Sequence, residues 1–255
     1  MRAGQTKLLI LAVAAVAACR TPAGRTAMAD STDTAAAAAA DRAMSGMTEM
    51  GGMGADPHMS MTPTWPLAAG DSARARALVT QIRSSLAKYR DVKVAEADGF
   101  KEFLPNVKNQ PVYHFTSWRH AVTARFSFDP AAPTALLYKH DSAGGWTLVG
   151  VMYTESPGAS LDELNRRVPL SIAHWHEHVN WCLPPRDDLS RWRDSSGGRP
   201  VFGPQGPIAT RAACDSAGGR FLPRVFGWMV HVNAFAGDDP KVIWAVEEHG
   251  DHMKM

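Results

Sequence analysis

Net charge, thiols and catalytic signatures are all scarce in this chain of 255 residues. Lys and Arg number 27 against 25 Asp and Glu, a balance that leaves no basic stripe for a nucleic-acid backbone. No Gly-x-Ser-x-Gly elbow and no phosphate-binding glycine loop occurs, which removes the common serine-hydrolase and nucleotide-binding readings. A His-Glu-x-x-His zinc motif also fails, because His176-Glu177 needs a histidine at position 180 and the chain has Asn180 there. Cysteine occurs only at positions 19, 182 and 214. The apolar run from Leu8 to Ala18 is too short to span a bilayer as a permanent anchor.

What the chain has is histidine in a pattern. In His174-Trp175-His176-Glu177-His178 three imidazoles alternate, and on an extended strand alternate residues share one face. The same alternation extends that face back through Val168, Leu170 and Ile172 and forward to Asn180 and Cys182, so the histidines are expected to point inward. Pro169 before the run and Pro184-Pro185 after it argue against a helix, although His174 and His178 would share a helix face too. A buried imidazole must be satisfied by a hydrogen bond, a carboxylate or a metal. A transition-metal site is therefore expected, with a polar strand edge or hydrogen-bonded core histidines as the alternative.

One strand cannot complete such a site. Residues two apart lie about 6.6 Å apart and residues four apart about 13 Å, while ligand nitrogens sit about 2 Å from the metal. One strand offers two histidines to an ion, and a neighbour must supply the third. His231 is the first choice: in Val225 to Asn233, Phe226, Trp228, Val230 and Val232 form an apolar face and leave Met229, His231 and Asn233 on the other. His114, within Val112 to Thr116, is the next. Two histidines from one strand and a third from another resembles the arrangement in carbonic anhydrases and cupins, in local spacing only. If such a site held a catalytic metal, Glu177 or Glu155 would be the candidate base, with alternation turning Glu177 away from the histidines.

Arg2 and Lys7 precede the Leu8 to Ala18 run, as in a secretion signal, and the run ends in Val16-Ala17-Ala18-Cys19. This resembles the bacterial lipobox. The resemblance implies cleavage before Cys19, a diacylated Cys19, and residence in the cell envelope facing the periplasm; Arg20 rather than Asp after the cysteine implies the outer membrane. Removing residues 1 to 18 leaves 25 basic against 25 acidic residues, a near-neutral protein. The two remaining thiols, Cys182 and Cys214, most simply form a disulfide in that compartment. The rival is Cys182 as a copper thiolate.

Residues 19 to 68 read as a flexible tether: Ala35 to Ala40 is a homopolymer, and its surroundings offer no core pattern. Met44, Met47, Met50 and Met53 recur every three residues, followed by His58, Met59 and Met61. Thioether sulfur is a soft donor that favours Cu(I). The stretch resembles the methionine-rich motifs of periplasmic copper-handling proteins. His249, His252, Met253 and Met255 add a second nitrogen and sulfur cluster in the tail, residues 249 to 255. Copper is the expected metal, with zinc, iron or manganese as alternatives.

Residues 69 to 248 amount to a single α+β domain, an antiparallel sheet with an N-terminal helical layer. Leu78, Ile82, Leu86 and Tyr89 predict one helix from Asp71 or Ser72 to about Asp98, ended by Gly99. Ala135 to Lys139 and Trp146 to Thr154 predict a hairpin, and Leu161 to Arg167 a short helix. The Pro133 to Tyr138 and Trp146 to Tyr153 segments resemble uncharacterised secreted bacterial proteins in which such a hairpin precedes histidine-bearing strands.

Overall fold

The computed structural model describes residues 56–105, 110–141 and 144–246, a mixed fold of helices and antiparallel strands. Helix α1 (Asp71–Leu86) buries Ala75, Leu78, Val79, Ile82 and Leu86, a stripe at three- and four-residue spacing. The single long helix expected from the sequence stops there. A 3-10 turn covers Ala87–Arg90, and helix α2 (Val92–Ala97) starts afresh. Two hydrogen bonds explain the break. The carbonyl of Tyr89, which would accept from an amide in a continuing helix, takes the buried Tyr138 hydroxyl at 2.6 Å. The Asp91 carboxylate then caps α2 by accepting from the Lys93 N–H at 2.9 Å. Gly99 closes the segment at φ 91°, a conformation that favours glycine.

Seven strands form one antiparallel sheet, in the spatial order β1 (Met59–Met61), β6 (His176–Leu183), β9 (Arg220–Val232), β5 (Trp146–Glu155), β4 (Ala135–His140), β3 (Tyr113–Thr116), β2 (Lys101–Glu102). The β4–β5 hairpin matches its expected bounds to within one residue at each end, and the Asp141 carboxylate at its turn accepts from the Gly145 N–H at 2.7 Å. Helix α4 (Leu161–Arg167) forms where expected, closed by a capping box between Ser160 and Glu163. The short helix α3 (Trp118–Thr123) follows β3, capped by Ser117.

The sheet has two apolar faces. One packs Phe115, Leu136, Tyr138, Val151, Tyr153, Val230 and Val232 against α1, α2 and α4 in the main core. The other carries a smaller cluster of Val112, Ala135, Leu137, Val149, Met152 and Met229. At about 2 kcal/mol for a fully buried aliphatic side chain, the main core dominates stability. The apolar face expected from Trp228 to Val232 joins that core, but Phe226 does not: it is 56% exposed at φ 66°, inside an irregularity where β9 shifts register against β6. Gly227 beside it permits the shift, since a Cβ there would collide with the Glu155 carbonyl oxygen.

Two expectations change along the chain. The histidine strand begins at His176, so Val168, Leu170 and Ile172 do not lead into it. Pro169 instead starts a turn, its carbonyl accepting from the Ile172 and Ala173 N–H groups at 3.0 Å each, while Val168 and Leu170 plug the helix-side core. The folded unit also reaches back well before residue 69. Met59 to Met61 is a sheet strand, Thr62 is buried, and the Trp65 N–H donates to Leu170.

Between β6 and β9 lie the hairpin β7 (Ser195–Ser196) and β8 (Arg199–Pro200) and the helix α5 (Arg211–Ser216). This region is tied by the Cys182–Cys214 disulfide, packed with Phe202. The rival reading of Cys182 as a copper thiolate falls with that bond. Gly219 leaves the necessary room, since a Cβ there would stand 2.5 Å from the Cys182 sulfur. Helix α6 (Pro240–Ile243) follows β9. Arg83 of α1 binds the connection between them, donating to the carbonyls of Ala234 and Gly237 and pairing with Asp238 at 2.7 Å.

Candidate functional site

Four imidazoles gather on the smaller apolar face. His176 and His178 come from β6, His231 from β9 and His114 from β3. Ring centroids lie 5.4 Å apart for His114 and His231, 5.1 Å for His231 and His176, and 5.6 Å for His176 and His178. His231 thus stands between His114 and His176. His176 is 2% exposed and His231 6%, while His114 and His178 are half-buried.

Curvature makes this possible. Strands β9 and β3 are three steps apart in the sheet, about 14 Å if it were flat. Rings 5.4 Å apart across that span require a sheet curled so that its histidine face is concave. A second contact bears this out: Phe103, just after β2, meets Phe226 of β9 edge to face at 6.0 Å. The register irregularities in β4–β5 and β6–β9 supply local bending.

The remaining expected ligands are distributed otherwise. His174 lies outside the strand, its Nδ1 2.9 Å from the Thr62 carbonyl oxygen and its Nε2 3.2 Å from the Thr64 hydroxyl. His58 is buried with Nδ1 3.1 Å from the Asn180 carbonyl oxygen and Nε2 2.7 Å from that of Gly206. Both nitrogens of His58 lie against backbone carbonyl oxygens rather than toward the other imidazoles, and the ring acts as a bracket between the start of the folded unit and the loop at 206. Met59 and Met61 are not tether residues: Met59 pairs with His178 and Met61 with His176 across β1 and β6. Met44, Met47, Met50, Met53, His249, His252 and Cys19 lie outside the described residues.

Two methionines on the same face were not singled out as ligands from the sequence. Met229 is opposite His176, and Met152 is opposite His231. Alternation already put Met229 beside His231, but Met152 joins them only through the β5–β9 register.

The candidate bases sit on the helix side. Glu155 continues the face of Val151 and Tyr153 and pairs with Arg167 at the end of α4. Glu177, 1% exposed, alternates away from His176 and His178, and its Oε2 meets Arg224 Nε at 3.1 Å. Burial pushes the Glu177 carboxyl above the usual range, against the opposing pull of the Arg224 guanidinium. Neither carboxylate shares the concave face with the imidazoles.

Among the described residues, no three His, Cys, Asp or Glu side chains form a group that could hold a metal ion as they stand. No helix among them is long and apolar enough to cross a membrane. Comparison with protein-family models, with curated proteins and with solved structures finds no match.

Proposed function

We propose that this chain is an envelope lipoprotein that binds a transition metal on the concave face of its sheet, with His176, His231 and His114 as principal ligands and His178 beside them. Copper is the favoured metal, ahead of zinc, iron or manganese. The observation that carries the reading is the line of four imidazoles at 5.1 to 5.6 Å between centroids, two of them almost fully buried. Two imidazoles on one tetrahedral ion have centroids about 5 Å apart, given metal–nitrogen distances near 2.1 Å. Packed aromatic rings share that spacing, so burial supplies the chemical argument. Register sets His114 opposite Leu137, His231 opposite Met152 and His176 opposite Met229, all three members of the smaller apolar cluster and a sound surrounding for a dry coordination site. The rings are tilted or edge to face, and convergence on one ion takes rotations about soft χ2 torsions.

A metalloenzyme has less support, because Glu155 and Glu177 occupy the opposite face and are engaged by arginines. The lipobox at Cys19 and the methionine run at Met44, Met47, Met50 and Met53 complete the proposal as membrane anchor and Cu(I)-capturing tether, with His249 and His252 as further copper ligands in the tail. Elemental analysis of the mature protein, purified without chelator, tests the central site. Near-stoichiometric metal is expected in wild type and in His140→Ala, whose ring is exposed against Trp146, with severe loss in His176→Ala and His231→Ala. Equal retention in the His140, His176 and His231 variants sinks the assignment.

A further inference from the structure

Strand register gives every histidine of β6 and β9 a methionine neighbour. Met61 lies opposite His176 and Met59 opposite His178 on the edge side. Met229 lies opposite His176 on the inner side, and Met152 lies opposite His231. Directly opposed residues of an antiparallel pair share a face, with Cβ atoms about 4.5–5.5 Å apart. Methionine makes up 12 of the 255 residues, so composition does not account for four such pairings on three histidines. Core filling explains Met229 and Met152, which are 5% and 7% exposed. It does not explain Met61, which is 37% exposed on the three-residue edge strand.

The donors run from open thioethers at the sheet edge to buried imidazoles and a buried thioether inside. Met61 and Met59 stand on the edge strand, His176 is buried on the next strand, and Met229 and His231 are buried one strand further in. Thioether sulfur binds Cu(I) well and Zn(II) poorly, whereas imidazole takes either. Resting on the metal-binding reading above, we infer that this face is a mixed imidazole and thioether site selective for Cu(I), and that the ion enters at the sheet edge through Met61 and Met59. The ion passes to His176 and Met229 without changing oxidation state. Strand β1 is therefore the mouth of the site as well as a sheet edge.

The test is a competition titration of the mature protein against a Cu(I) chelator under anaerobic reducing conditions, with Zn(II) titrated in parallel. Wild type, Met59→Leu/Met61→Leu and Met229→Leu are compared, leucine keeping the bulk while removing the sulfur. Far-ultraviolet circular dichroism checks that each variant folds. In the double variant Cu(I) affinity is expected to fall about tenfold or more and loading to slow, while Zn(II) affinity stays at the wild-type value. Met229→Leu is expected to lower Cu(I) affinity with a smaller effect on loading rate. Identical Cu(I) affinity and loading in wild type and both variants, with Zn(II) still bound through the histidines, overturns the methionine assignment alone. Absence of Cu(I) and Zn(II) binding in wild type overturns the metal-binding reading and this inference together.

Discussion

His174 and His176 are two residues apart and chemically identical, yet their surroundings separate them. His174 has both nitrogens within reach of Thr62 and Thr64, whereas His176 enters the cluster with His231 and His178. Glu177 presents the opposite problem, a carboxylate in a fully buried strand position. Its pKa lies above the ordinary value of 4.5 because desolvation outweighs Arg224. A carboxyl with a raised folded-state pKa favours folding while protonated, and that contribution is lost as pH rises above about 4.5 through the folded value. Glu177→Gln is therefore expected to melt at or above the wild-type temperature at pH 7, with the difference shrinking as pH falls into the usual carboxylate range. A clearly lower melting temperature for Glu177→Gln at pH 7 shows instead that the Arg224 pair outweighs the burial cost.

Among the elements, α4 was readable because its signals are local. Ser160 and Glu163 form a reciprocal cap within four residues, and Leu164 supplies the buried side chain. Helix α1 was readable in its apolar stripe but not in its end, because the break at Ala87 depends on Tyr138, a residue of a distant strand. Strand β1 was hidden, since Met-Ser-Met in a low-complexity stretch looks like linker until β6 pairs with it. The disulfide closes 32 residues of sequence separation between β6 and α5. By the loop-entropy argument, Cys182→Ser/Cys214→Ser should lower unfolding free energy by about 3–4 kcal/mol in denaturant titration. Metal content should hold, because Cys182 is consumed by the bond; a parallel loss of metal in folded protein would return sulfur at 182 to the ligand set.

At the scale of the whole molecule, the helical layer covers one face of the sheet and the sheet's own curl shelters the other. The proposed anchor makes a separate prediction. Cys19→Ser should move the protein from the membrane fraction to the soluble fraction or leave it unprocessed, because dual acylation provides the binding that one weak apolar contact cannot. The melting temperature of the compact unit from Gly54 onward should not change, since residue 19 lies outside it. Unchanged fractionation and unchanged mass would remove the lipid from the proposal.

Local periodicity determined much of this protein. The stripe of α1, the β4–β5 hairpin, α4, the strand alternation of His176 and His178, and the second histidine strand around His231 all follow from spacing within a few residues. Cysteine number and the expected oxidising compartment also pointed to the Cys182–Cys214 pair. What the tertiary structure decided is everything that depends on register and curvature. Spacing along the chain does not say which residue of β1 faces His176, that Met152 stands opposite His231, that a turn at Pro169 removes His174 from the strand, or that β3 curls back toward β9. Those outcomes come from hydrogen bonds and packing between segments far apart in sequence, and the concave face with its four imidazoles exists only once they are made.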